Sequence, residues 1–232
     1  MKTKIYFLPG LMTDERLWKE LFCLFDDSYE LIHVKIPLKR TFDEILEALC
    51  FKEEKINLLG FSLGGYVAAY FACKYPHRIN KLFILASSPS SMYKDEIIKR
   101  SLAIEFTKKH GFKNLSAKKV ISLLEEKNNK NTKLIKLVQD MYKDEGAYVF
   151  ELQMKATLLR KDLLQELIRL NTSIYFFYSK HDRLLNHNSL LTLQEEHKKA
   201  RFIINNGTSH MLPLEEPKKL HTLILEWINE KN

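Results

Sequence analysis

The sequence predicts an α/β protein whose parallel sheet is covered by helices on both faces, and three observations carry that expectation. Short apolar, β-rich runs alternate with helical patterns through residues 5–86. The alternation stops at residue 94, gives way to helical spacing as far as residue 170, and then resumes to the C-terminus. Finally, the chain has only seven glycines, and three of them fall in Gly60-Phe61-Ser62-Leu63-Gly64-Gly65. That run joins an apolar strand to an alanine-rich helix through a single serine. Strand–helix alternation of this kind gives parallel strands buried on both sides.

The predicted strands are residues 5–8, 31–34, 56–59, 82–86, 174–178 and 200–204, with helices near 15–24, 42–50, 62–74 and 189–197. Thr41 with Glu44 three residues on forms a capping box for the second helix. In the helical stretch, Leu134, Leu137, Val138 and Met141 stand at i, i+3, i+4 and i+7. The polar tract from Glu125 to Asn131 reads as a loop between two of the three to five helices expected there. A closing helix carries Leu220, Leu223, Ile224, Trp227 and Ile228 on one face, a stripe fit to cover the sheet. The expected organisation is one domain with a core of residues 1–93 and 171–232 and a helical cap inserted at 94–170.

Composition excludes several classes. At 232 residues with 45% hydrophobic content, 14 Phe and 10 Tyr, the chain can fill one large core. Cys23, Cys50 and Cys73 match no metal-ligand spacing, and their apolar helical surroundings predict buried, reduced thiols. The apolar run at 5–8 ends at Pro9-Gly10, too short for the core of a signal peptide, and no segment reaches transmembrane length. A soluble, cytoplasmic protein is expected. The net charge of +8 is concentrated: residues 94–161 hold 16 Lys/Arg against 9 Asp/Glu. Lysines interleaved with acids at helical spacing, without an aromatic-basic motif, argue against nucleic-acid binding. Two readings stay open, a solvated lysine-rich surface or a region that draws in an acidic partner or anionic substrate.

The chemistry sits in the glycine-flanked serine. A strand turning through Ser62 into a helix is the form of a nucleophile elbow, where glycines let the chain pass closely. A serine nucleophile needs a base, and His210 lies after the last strand and before the final helix. The imidazolium needs a carboxylate, and Asp182 follows the strand at 174–178. The stretch after the preceding strand, Ser87-Ser88-Pro89-Ser90-Ser91, offers none. An oxyanion needs two backbone donors: Leu63, after the serine, and Leu11, in the loop after the first strand. Pro9-Gly10 reads equally as a plain turn. Met12 and Met211 flank these positions and are candidates for an apolar substrate pocket, or for ordinary core packing.

The order Ser62, Asp182, His210 is that of the α/β-hydrolase fold. The chain resembles that superfamily along nearly its whole length, on residues 8–14 (Leu-Pro-Gly-Leu-Met-Thr-Asp) with Trp18, on Gly60 to Tyr66, on Asp182, and on residues 210–217 (His-Met-Leu-Pro-Leu-Glu-Glu-Pro). It is most similar to the bacterial carboxylesterase branch that includes pimeloyl-carrier methyl esterases and enol-lactone hydrolases. Pro9 replaces the family's usual histidine before glycine, and Ser209 the usual glycine before the catalytic histidine. The first strand corresponds to the family's third, so the resemblance implies a minimal six-stranded parallel sheet. It also implies hydrolysis of a small-molecule ester or thioester, including one linked to an acidic acyl-carrier protein, with no metal or organic cofactor. Related lyases use the same three residues for proton abstraction, and that is the alternative chemistry.

Overall fold

The computed structural model describes residues 2–230. Six strands, β1 (Thr3–Leu8), β2 (Tyr29–His33), β3 (Ile56–Phe61), β4 (Ile79–Leu85), β5 (Ile174–Ser179) and β6 (Ala200–Asn205), form one sheet in the order β2-β1-β3-β4-β5-β6. Every neighbouring pair is parallel, as expected from the alternation. The chain runs outward from β1 to β2 and then returns to the other side of β1 to lay down β3. That reversal opens a crevice beyond the carboxyl ends of β1 and β3. The loop after β1 and the serine after β3 both emerge there.

Strand periodicity divides the core into two layers. Leu58, Leu82, Ile84, Ile174 and Phe176 face one side, while Leu59, Phe61, Phe83, Leu85, Tyr175 and Phe177 face the other. Short α1 (Lys19–Phe22), α2 (Phe42–Ala48) and α3 (Leu63–Lys74) connect the first four strands. Four α-helices lie between β4 and β5: α4 (Lys94–His110), α5 (Ala117–Ile121), α6 (Thr132–Thr157) and α7 (Leu164–Ile168). α8 (His187–Glu196), α9 (Leu212–Glu215) and α10 (Pro217–Asn229) complete the chain. Residues of α2, α3, α7 and α8 pack on the first layer; residues of α1, α5, α6 and α10 pack on the second. Trp227 of α10 meets Phe83 edge-on, ring centroids 5.5 Å apart. Burying each such aromatic is worth about 1.5–3 kcal/mol, so the stripe at 220–228 anchors that layer.

Local signals held with adjustments. Thr41 accepts from the Glu44 amide at 3.2 Å while the Glu44 carboxylate accepts from the Thr41 amide at 3.0 Å, the reciprocal box read from the sequence. The expected helix at 15–24 is a 3₁₀ turn, Glu15–Trp18, followed by α1, because Asp14 accepts from the Arg16 amide at 2.9 Å and tightens the start. The tract at 125–131 carries its own 3₁₀ turn, Glu126–Asn128. α6 breaks at Gly146, whose φ of 80° and ψ of 179° are not helical. The cysteine expectation is corrected. Cys23 and Cys50 are exposed because they lie just past the ends of α1 and α2, and only Cys73 is partly buried. All three are free thiols, and burial pushes that of Cys73 up to about 12. Among the described residues, no helix is long and apolar enough to cross a membrane.

Candidate active site

Ser62 occupies the single residue between β3 and α3, with φ 51° and ψ −112°. A left-handed conformation at a non-glycine residue costs on the order of 1–3 kcal/mol and must be held by its surroundings. Here the Ser62 amide donates to the Leu85 carbonyl at 2.9 Å, and its carbonyl accepts from the Tyr66 amide at 3.1 Å. The strand and helix cross so closely that a Cβ on Gly60 would lie 2.1 Å from the Gly64 carbonyl oxygen. The glycines on either side of the serine are therefore a steric requirement of the turn.

His210 lies 148 positions further along the chain, and its Nε2 stands 2.9 Å from Oγ of Ser62. Its Nδ1 lies 2.7 Å from Oδ2 of Asp182, which is 1% exposed. An ionised carboxylate can only accept, so the proton is assigned to Nδ1. Nε2 then keeps its lone pair for the Ser62 hydroxyl. Asp182 is itself held by its turn: its amide donates to the Ser179 carbonyl at 3.1 Å and its Oδ1 accepts from the Leu184 amide at 2.9 Å. The His181 amide donates to the Gly207 carbonyl at 2.9 Å, joining the aspartate turn to the histidine loop. The three side chains named from the sequence thus form one hydrogen-bonded chain.

The loop after β1 lies against the same point, since a Cβ on Gly10 would come within 3.4 Å of the Ser62 Cβ. Among the described residues, neither the Leu11 nor the Leu63 amide has an acceptor. Leu63 is the first residue of α3, at the positive end of a 12-residue helix. Met12 adopts φ 55°, and its amide donates to Oε1 of Gln153 at 2.9 Å. Gln153 belongs to α6, 141 positions away, and nothing in its sequence surroundings marked it. The Met12 side chain is 2% exposed in an apolar cluster with Ile104, Phe150 and Met154. Met211 is 3% exposed and packs in the second core layer.

The histidine loop hangs from the segment between α5 and α6. The His210 and Met211 amides donate to the Leu123 carbonyl at 2.9 and 3.3 Å. The Glu125 carboxylate accepts the amides of Thr208 at 2.8 Å and Ser209 at 2.9 Å. The Ser209 hydroxyl donates to Glu215, which also accepts the Glu125 amide at 3.0 Å and Nδ2 of Asn128 at 2.6 Å. Ser209 is fully buried, so its departure from the usual glycine is paired with a carboxylate made ready for it. Sequence reasoning took Glu125 as part of a polar loop between two helices and missed this junction.

Comparison with known proteins agrees with this architecture. A pimeloyl-[acyl-carrier protein] methyl ester esterase of Wigglesworthia glossinidia brevipalpis is 25% identical over 151 residues, 60% of this chain. The matched stretch takes in 58% of that relative's length. A thermophilic esterase from Thermogutta terrifontis superposes with a TM-score of 0.84 at 20% identity, covering 98% of this chain and 90% of its own. An enol-lactonase from Burkholderia xenovorans LB400 gives 0.82 at 14% identity, covering 99% and 92%. A family model described as alpha/beta hydrolase fold matches residues 35–217. The chain belongs to the α/β hydrolase fold family.

Proposed function

We propose that this protein is a serine esterase that hydrolyses a carboxylic ester or thioester through an acyl-enzyme. The observation that carries the reading is the continuous Ser62–His210–Asp182 hydrogen-bond chain, with contacts of 2.9 and 2.7 Å. Oγ of Ser62 bonds to the substrate carbonyl carbon while its proton passes to Nε2 of His210. Asp182 holds the imidazolium in place, and the Leu11 and Leu63 amides receive the oxyanion. The alcohol or thiol leaves with the proton from His210. Water, deprotonated by the same nitrogen, then attacks the acyl carbon and releases the acid. The mechanism draws on no metal or organic cofactor.

Residues 94–170 act as a cap inserted into a single domain, tied to the catalytic loops through Gln153 and Leu123. A carrier-linked acyl ester is a candidate substrate, supported by the name of the Wigglesworthia relative and by the basic surplus in residues 94–161. The test is a fluorophosphonate probe followed by peptide mapping. The adduct is expected on Ser62 alone and absent from Ser62→Ala; a labelled protein with Ser62 unmodified defeats the reading.

Glu125 is then a positioning residue. Glu125→Ala strips the acceptor from two amides beside His210, and a displacement there of even ~1 Å costs up to about 10²-fold in rate. We expect kcat to fall about 10- to 100-fold with KM little changed, and stability to fall by about 1–3 kcal/mol. Glu125→Gln, which keeps one carbonyl oxygen, should recover most of the rate. Full activity in Glu125→Ala, measured alongside urea denaturation, would show that the histidine loop holds itself.

A further inference from the structure

A groove of about 710 Å³ takes part of its lining from the turn that follows Asp182, and its wall carries an arginine that makes no ion pair among the described residues. Arg183 and Leu184, the two residues after Asp182, form part of that wall, as does Ser88, just beyond β4. Ser88 ties the two sides together, accepting the Asn186 amide on its hydroxyl at 3.2 Å. Arg160 enters from the end of the helical insertion. Its guanidinium lies over the Tyr66 ring, 4.1 Å from the centroid, and Tyr66 is the residue whose amide bonds the Ser62 carbonyl.

The Arg160 guanidinium offers five N–H donors. Among the described residues its only hydrogen bond runs from Nη2 to the Ser88 carbonyl; its Nε is enclosed without an acceptor, and it makes no ion pair. Burial pushes it down to about 10. A half-buried cation that makes no ion pair, with its Nε shut off from any acceptor, is costly to keep. It is also fixed in place, by Tyr66 beneath and Ser88 at its edge. Tyr66 is of no help as a counter-charge, since burial raises its hydroxyl well above the ordinary range and keeps it neutral.

The rest of the groove has the same sign. Lys94, Lys99, Lys119 and Arg183 line it with Arg160, against Asp95 and Glu96. Glu96 is engaged by Arg100 at 2.9 Å, whereas none of the four rim cations has an ion-pair partner among the described residues. The groove also receives the N-terminus of the 17-residue α4, which Tyr93 leaves without a side-chain cap. Partial positive charge from that end adds to the side-chain charges.

We propose that this groove binds an oxyanion, a carboxylate or a phosphate, carried on the far end of the ester substrate, with Arg160 as its anchor. The inference rests on the esterase reading and narrows it to esters with an anionic tail. Arg160 supplies short-range hydrogen bonds of the charge-assisted kind, and the rim cations supply attraction at longer range. The recessed position of Arg160 suits the end of a flexible chain better than a folded protein surface. A neutral ester of the same length leaves the cation unpaired and gains none of this.

Calorimetric titration of the Ser62→Ala protein tests the inference without any turnover. The probes are monomethyl glutarate, its neutral counterpart dimethyl glutarate, and inorganic phosphate. Monomethyl glutarate or phosphate is expected to bind at least about tenfold more tightly than dimethyl glutarate, and the tighter of the two identifies the anion. Adding Arg160→Gln, with folding checked by thermal melting, is expected to erase that preference. Equal binding of charged and neutral probes, no saturable binding of any, or a preference that survives in folded Arg160→Gln overturns the proposal. Should Arg160→Gln fail to fold, the Lys99→Gln, Arg183→Gln double variant replaces it: a weakened preference supports the site and an unchanged one overturns it. Fluorophosphonate labelling of Ser62 in the parent protein reports separately on the esterase reading, so each claim can fail without the other.

Discussion

Ser62→Ala is expected to lose about four to six orders of magnitude in kcat for any ester the parent protein cleaves, while folding as the parent does. The two halves of that result come from different links of the argument. The loss of rate follows, on the esterase reading proposed above, from removing the atom that bonds to the carbonyl carbon. The retained fold follows from what holds the turn. Its positive φ is enforced by backbone hydrogen bonds to Leu85 and Tyr66 and by the glycine crossing, none of which involves the hydroxyl. Alanine bears the same Cβ and fits the same φ. The single side-chain bond lost, to a partly exposed serine, is worth about 0.5–1.5 kcal/mol.

His210→Ala should match that loss, and the Ser62→Ala, His210→Ala double variant should be scarcely worse, because residues acting as one unit are not additive. Asp182→Asn should cost about 10⁴, by letting the imidazole take the wrong tautomer. Steady-state kinetics with a chromogenic ester, together with circular dichroism, checks all of these. A Ser62→Ala protein keeping a tenth of parental turnover would end the serine-nucleophile reading.

What could be read in advance follows from how far apart the determinants lie. The strands at 56–59 and 174–178 were legible because fully buried parallel strands are continuous apolar runs, a local property. The serine, aspartate and histidine were legible because each sits just beyond a strand, where the alternating pattern marks the place, and because their order along the chain is informative. The 3₁₀ turn at Glu15–Trp18 was not, since helical spacing cannot show that Asp14 tightens the first turn. Nor was the break in α6: Gly146 was visible, but a lone glycine within helical spacing does not show that its backbone leaves the helix. Gln153 and Glu125 were missed for a different reason. Their partners lie 141 and 83 positions away, and a polar residue on a helix or in a polar tract looks the same whether solvent or a distant amide satisfies it. Arg160 was hidden by arithmetic: a surplus of basic residues does not reveal which cation is left unpaired.

Gly64→Ala is expected to be among the most damaging single methyl additions at the site. The added Cβ would stand 2.4 Å from the carbonyl oxygens of both Leu8 and Pro9. Those oxygens are backbone, and β1 cannot retreat because it is paired on both sides, with β2 and with β3. The loop at 9–11 must move instead, and that loop carries the Leu11 amide. Overpacking of this kind costs about 1–3 kcal/mol and reaches further when backbone has to shift. We expect at least about 3 kcal/mol of lost stability, together with a fall in kcat of about 10²-fold or more in the protein that still folds. Gly111→Ala supplies the contrast. Gly111 has φ 78° and ψ 160° with nothing within 4 Å of an added Cβ, so its cost is conformational, about 1–3 kcal/mol, with turnover unchanged. Urea denaturation and steady-state kinetics on both variants separate crowding from backbone preference. If Gly64→Ala unfolds within about 0.5 kcal/mol of the parent, the β1 loop yields freely, and the close approach of Gly64 to Leu8 and Pro9 does not hold the site.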